Sequence, residues 1–236
     1  MPSQPTARDR ARRGGAYVLG VTADLASQAR QRLLATNGGR SLQGDRWVEW
    51  SFCFARMTDG PGTTLDFGTD IGFLAIAAAQ RGHVVVAFDR LASTLDYVHP
   101  RVRHVQGDVL THDFGDQRFD QILNCSSVEH VGLGGRYGSS DAPDGDLQAM
   151  ATMRGLLSPG GRILLTIPVG RDMVCAPQHR IYGEDRLPRL IDGFAVDEQQ
   201  FWLKTDAGWR QCERAEALAI DGSTSFYSLG LFVLSS

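Results

Sequence analysis

Leu65-Asp66-Phe67-Gly68-Thr69-Asp70-Ile71-Gly72 is the stretch whose reading decides the fold. It joins a short apolar run, Thr63 to Phe67, to a helix-forming run, Phe73 to Arg81, that Gly82 ends. A glycine at such a turn lets backbone approach a ligand with no side chain in the way. The helix that follows offers free N–H donors and the positive end of its dipole. The spacing is wrong for a dinucleotide turn of the G-x-G-x-x-G type, because Asp70 and Phe73 fall where the second and third glycines belong. No Gly-Lys-Ser/Thr follows, so the turn is not a P-loop. Asp66 and Asp70 disfavour a phosphate and suit a ligand with a cationic end.

Working outward, the chain alternates strands and helices. Val84 to Phe88 reads as a strand buried on both faces and is closed by Asp89. Val102 to Val105 reads as a third strand followed by Gly107-Asp108, and Phe119 to Leu123 as a fourth followed by Asn124-Cys125-Ser126-Ser127. A helix over Leu147 to Leu157 ends at Ser158-Pro159-Gly160-Gly161, which turns into a fifth strand, Arg162 to Ile167. Ala195 to Leu203 and Phe226 to Leu234 alternate like strands, and the helicity of the stretch between them is unsettled. Such alternation implies right-handed crossovers and a sheet covered on both faces. The expected fold is α/β: a Rossmann-like doubly wound sheet of about seven strands, mostly parallel with an antiparallel last strand, plus N-terminal helices. Residues 1–15, with Arg8, Arg10, Arg12 and Arg13, read as a flexible tail. Residues 16–60 read as an N-terminal helical cap, with helices over 23–35 and 46–57, and residues 61–236 as the main domain with an insertion at 132–146.

Composition excludes several classes. Lys plus Arg number 24 and Asp plus Glu 27, a formal charge of -3, which argues against a dedicated nucleic-acid binder. No apolar run approaches the roughly 20 residues that span a bilayer, and the N-terminus lacks the apolar core of a secretion signal. Cys53, Cys125, Cys175 and Cys212 are scattered without a C-x-x-C pair, so a reducing cytoplasm is the expected compartment. Glycine is the enriched residue, 27 against 9 prolines, and its clusters mark the turns named above.

The acidic marks fall in order at the carboxyl ends of consecutive strands, where open α/β sheets bind ligands. Asp89 is placed to accept both ribose hydroxyls of an adenosine, and Asp108 to accept the exocyclic amine of an adenine. From Thr63 to Pro168 the chain resembles a class I S-adenosylmethionine-dependent methyltransferase. The resemblance rests on Leu65 to Gly72, Asp89, Gly107-Asp108-Val109, Phe119-Asp120 and Leu156 to Leu165. It implies S-adenosyl-L-methionine as cofactor, with Asp66 and Gly68 lining its methionine end in a turn shared with Thr69, Asp70 and Gly72. It further implies Asp89, with Arg90 beside it, at the ribose, Asp108 and Val109 flanking the adenine, and Asn124, Cys125 and Ser126 completing the wall. Family members usually have glycine where this chain has Asp70, which alters that wall. A narrower resemblance over Ser127 to Gly138 and His179 to Gly183 is to a methyltransferase-like branch associated with sugar and natural-product pathways.

Methyl transfer from a sulfonium needs alignment above all, and a hydroxyl acceptor gains from a general base. His130 is the leading base candidate, with Glu129 as an alternative and His179 as a second base. On a helix Glu129 and His130 would point about 100° apart, which argues against a hydrogen-bonded pair. Trp47, Trp50, Arg136, Tyr137, Arg180 and Tyr182 are candidate acceptor contacts. No metal is expected, since no acid pair follows the fourth strand. The reading is an enzyme that methylates an oxygen or nitrogen of a small molecule, a sugar or secondary-metabolite intermediate, without nucleic-acid or membrane partners; a homo-oligomer is left open. The rivals are a non-catalytic homologue that binds the cofactor and an NAD-dependent oxidoreductase, which the glycine spacing disfavours.

Overall fold

A computed structural model describes residues 44–92, 99–134 and 141–236, all within one compact unit, Leu42–Ser236. The expected tail, the expected helix over 23–35, Arg136 and Tyr137 lie outside the described residues.

One sheet organises the unit. Five parallel strands, β1 (Gly62–Phe67), β2 (His83–Asp89), β3 (Val102–Gln106), β4 (Phe119–Cys125) and β5 (Leu157–Val169), stand in the order β3-β2-β1-β4-β5. Beyond β5 the sheet continues with β10 (Ser228–Ser235), β8 (Ala195–Thr205) and β9 (Gly208–Cys212). The last strand is antiparallel to β5, as expected, but β9 is also antiparallel to its neighbour β8, and the sheet has eight strands. The unsettled stretch before β10 holds β9 and a short helix, α5 (Arg214–Leu218). A separate hairpin, β6 (Met173–Cys175) and β7 (His179–Ile181), follows β5.

Successive residues of a strand point to opposite faces. Val86, Phe88, Ile122, Ile163 and Leu165 feed one core, while Val85, Ala87, Leu123 and Leu164 feed the other. This is why Val85 to Phe88 and Ile163 to Leu165 read as unbroken apolar runs. The first core takes Ala149, Met150 and Met153 from α3 (Gly145–Gly155) and Leu187 and Leu190 from α4 (Arg186–Leu190). The second takes Phe52 and Cys53 from α1 (Asp45–Arg56) and Leu74, Ala75 and Ala78 from α2 (Phe73–Gln80).

The Ser158-Gly161 stretch is a bulge at the start of β5, not a turn before it. Leu157 pairs with Phe119 and the ladder resumes at Arg162 opposite Gln121. Gly161 lies so close to the Phe119 carbonyl that a Cβ would stand 2.9 Å from it.

The insertion after β4 is closed at its base. Val128–His130 forms a single 3₁₀ turn, and the amide of Ala142 returns to donate to the Gly132 carbonyl at 2.9 Å. Arg180, fully buried on β7, donates to the carbonyls of Val131 at 2.6 Å, Pro143 at 3.1 Å, Ala142 at 3.3 Å and Glu129 at 3.4 Å. Its Nε lies 3.7 Å from the buried Asp146, which also accepts from the Tyr182 hydroxyl and from Arg186. Removing one partner from such a buried network leaves charge and carbonyls uncompensated. Arg180→Met is therefore expected to cost about 3–5 kcal/mol in urea unfolding; a loss under about 1 kcal/mol would show that the segment does not depend on this residue.

Candidate functional site

The sheet order places its switch point between β1 and β4, where successive crossovers leave in opposite directions. A cleft of about 330 Å³ opens there, at the carboxyl ends of the strands. Its floor is the β1–α2 turn. Gly68 has a φ of 69°, and a Cβ on it would overlap the Ser127 side chain, so the position requires glycine on both counts. Backbone bonds from Gly68 to Phe88 at 2.8 Å and from Gly72 to Thr69 at 2.6 Å fix the turn. Asp70 also takes a positive φ, 46°, a conformation in which Asp is one of the better tolerated non-glycine residues.

Asp66 is buried at the end of β1 and accepts from Thr69 Oγ1 at 2.7 Å. Burial pushes its carboxyl up to about 6, against the pull of the hydrogen bonds from Thr69 and the Ala75 amide, and the charge of Asp89 adds to the rise. Asp89, at the end of β2, accepts the amides of Leu91 at 2.8 Å and Asp70 at 3.1 Å, so one carboxylate ties two loops together. Asp108 is paired with Arg90 and accepts the Leu110 amide at 3.0 Å. The cleft is also lined by Val109, Cys125, Ser127 and His130.

Helix α1 forms the remaining side. Glu49 is fully buried: Oε1 accepts from Ser126 Oγ and, at 2.8 Å, from Thr166 Oγ1, while Oε2 accepts from Arg46 Nη1 at 2.6 Å. This carboxylate fastens α1 over the ends of β4 and β5 and brings Arg46 and Trp50 to the cleft. Trp50 is braced by Phe73, ring centroids 4.7 Å apart.

Of the expected cofactor set, Asp66, Gly68, Thr69, Asp70, Asp89, Arg90, Asp108, Val109 and Cys125 line this cleft. Gly72, Asn124 and Ser126 do not. Gly72 starts α2 in a left-handed conformation, Asn124 is buried in the core with its Oδ1 accepting the Val128 amide at 3.2 Å, and Ser126 is spent on Glu49. Among the catalytic candidates His130 lines the cleft, and Glu129 and His179 are buried beside it. Because 128–130 is a 3₁₀ turn, Glu129 Oε1 and His130 Nε2 approach to 3.7 Å, closer than helical spacing implied yet beyond hydrogen-bond length. His130 Nδ1 faces the Gln178 carbonyl within hydrogen-bond distance. The His179 ring stands 6.3 Å from that of His130 and 5.3 Å from that of Tyr227.

Among the acceptor candidates that lie in the described residues, only Trp50 is at the cleft. Trp47 is 78% exposed and lines a separate depression with Trp202 and Trp209, while Arg180 and Tyr182 are buried in the network that closes the insertion. Arg46 and Glu49 were missed by sequence reasoning, and Ser127 was read only as part of the stretch after the fourth strand. Glu49 stands three and four residues before the buried Phe52 and Cys53, so the helical period had marked it as facing inward.

The family described as "Caenorhabditis protein of unknown function, DUF268" matches residues 70–205. The chain belongs to that family. No curated protein matches the sequence. This DUF268 chain is similar in structure to the Burkholderia thailandensis 1,6-didemethyltoxoflavin-N1-methyltransferase, solved with 1,6-didemethyltoxoflavin and S-adenosylhomocysteine, at 18% identity and a TM-score of 0.56, covering 100% of this chain and 93% of that one. It is similar to the N-methyltransferase NodS of Bradyrhizobium japonicum WM9, solved with S-adenosylhomocysteine, at 14% identity and a TM-score of 0.51, covering 80% and 86%. An S-adenosylmethionine-dependent methyltransferase of Mesorhizobium loti matches at 16% and 0.53, covering 80% and 97%. The fold is that of the class I methyltransferases.

Asp66 titrates near 6 when folded and near 3.8 when unfolded, so its ionisation costs stability as pH rises between those values. The stability of Asp66→Asn relative to the parent is expected to rise by about 2 kcal/mol between pH 4 and pH 7. A pH-independent difference would contradict this placement of the carboxyl.

Proposed function

We propose that the protein is an S-adenosylmethionine-dependent methyltransferase acting on an oxygen or nitrogen of a small molecule. The single observation that carries this reading is the cleft at the switch point, with Asp66, Asp89 and Asp108 walling it in strand order around a glycine pressed against Ser127. The residues fit the cofactor on their own chemistry. Gly68 leaves a cradle that a Cβ would fill, and the buried Asp66 is a carboxylate whose ionised form a cationic group would favour. The cofactor, when bound, supplies a methyl group already activated on a sulfonium.

Each residue then has a role. Asp66 pairs with the ammonium of the methionine end. Asp89 retains acceptor capacity beyond its two amide bonds, since each carboxylate oxygen has a second lone pair for a ribose hydroxyl. Val109 packs beside the adenine, and Asp108, held by Arg90, accepts from its amine. His130 is the general base. A ring whose Nδ1 donates to the Gln178 carbonyl carries its neutral-state proton there and leaves Nε2 to accept one from the acceptor. Glu129 is the carboxylate nearest to that nitrogen. Trp50 and the base of the insertion form the walls against which an acceptor is aligned.

Thermal melting with S-adenosylhomocysteine and with NADH separates the reading from an oxidoreductase: stabilisation by the former alone is expected, and stabilisation by NADH alone overturns it. Asp89→Ala is expected to weaken S-adenosylhomocysteine binding by about 1–3 kcal/mol, measured by calorimetry; unchanged affinity would remove Asp89 from the ribose. His130→Ala is expected to lower turnover roughly 10²–10⁴-fold with cofactor affinity intact; full activity at neutral pH would remove it as the base.

A further inference from the structure

His130 is held from outside its own turn. The 3₁₀ turn Val128–His130 is a single one, closed by the His130 amide on the Ser127 carbonyl at 3.2 Å and the Val131 amide on the Val128 carbonyl at 3.1 Å. A lone turn of this kind has poor hydrogen-bond geometry and does not fix a side chain by itself. The β6–β7 hairpin supplies the support. One nitrogen of Arg180, Nη1, donates to the carbonyls of the residues on either side of His130: Val131 at 2.6 Å and Glu129 at 3.4 Å. Two residues earlier on the same hairpin, the Gln178 carbonyl faces the ring at Nδ1 within hydrogen-bond distance.

The guanidinium cannot turn away. Nη2 donates to the carbonyls of Pro143 at 3.1 Å and Ala142 at 3.3 Å, Nε stands 3.7 Å from Asp146, and Arg180 is 1% exposed. The hairpin is equally set: the Gln178 amide donates to the Cys175 carbonyl at 2.7 Å, and Arg180 pairs with Val174. Backbone and ring of His130 are thus tied to one element at three points. A carbonyl has no proton to give, so the bond to Gln178 puts the proton of the neutral ring on Nδ1. A free imidazole side chain favours the other form, with its proton on Nε2. The fold therefore reverses the preference, and only in the reversed form can Nε2 accept a proton.

We propose that Arg180 is the positioning residue of the base: by holding the carbonyls of Glu129 and Val131 it keeps His130 Nδ1 on the Gln178 carbonyl and Nε2 ready to accept. The inference rests on the reading of His130 as the general base. The tautomer is read by nuclear magnetic resonance from the ring nitrogens of protein labelled with nitrogen-15 histidine, at mildly alkaline pH where the ring is neutral. The His130 signals are assigned by their loss in His130→Gln. In the parent the Nδ1–H form is expected to outnumber the Nε2–H form about tenfold. In Arg180→Met, and in Arg180→Lys, which keeps a cation beside Asp146 but not the fork, the excess is expected to fall to about twofold or to reverse. The stability loss expected above leaves a domain of ordinary stability folded, and sucrose in the buffer shifts the balance further towards the fold. The signals are those of folded molecules, so a merely structural role for Arg180 would lower stability and leave the tautomer as in the parent. A parent ring protonated on Nε2, or variants that keep the Nδ1–H excess, overturns the proposal. No cofactor or acceptor enters the measurement, so it decides Arg180 even where S-adenosylhomocysteine fails to bind and the methyltransferase reading falls.

Discussion

The site depends on the contact between Gly68 and Ser127. These residues follow β1 and β4, the adjacent strands at which the order of the sheet reverses, and no room remains between them for a Cβ. That closeness lays bare backbone on the floor of the cleft and lets the β1–α2 turn run under it. The bonds of Asp89 to the amides of Asp70 and Leu91 then bind the β1 and β2 loops into one wall. A larger residue at position 68 would push the two strand ends apart and open the floor.

The second constraint is electrostatic. Burial makes Asp66 a costly carboxylate, and a cation beside it would offset that cost. Glu49 is handled in the opposite way: two hydroxyls and a guanidinium satisfy it within the chain, so it acts as a fastener for α1. The contrast is one of place: Asp66 lines the cleft, whereas Glu49 lies behind it with both oxygens taken up by side chains. Arg180, Tyr182 and Asp146 likewise lie behind the cleft lining, bound to one another and to the base of the insertion.

Much of this was legible in the chain. The parallel half of the sheet was readable because β2, β4 and β5 carry apolar runs that feed both cores, and because β3, largely exposed at the edge, is marked by the Gly107-Asp108 turn that follows it. The acids at their ends were readable because each is followed by a turn. What was not legible came from tertiary contact. Asn124 and Ser126 share a loop with the cleft residues Cys125 and Ser127, and only the turn direction, with Ser126 at a φ of 47°, decides which of them face inward. Arg180 looked like a substrate arginine because no sequence pattern shows four carbonyls converging from a segment 37–51 residues earlier. The β9 strand was missed because Gly208 to Cys212 is short and lies at a sheet edge, where alternation is weak.

The proposed function stands on the carboxylate of Asp66 receiving the ammonium of a sulfur-linked adenosine cofactor. The most direct measurement is the affinity of S-adenosylhomocysteine as a function of pH. An ammonium favours the ionised carboxylate, so affinity is expected to be flat above about pH 6.5 and to fall towards tenfold per unit below about 6, with the fall abolished in Asp66→Asn. Absence of binding at any pH, or binding that is pH-independent between 5 and 7 in the parent protein, would contradict it.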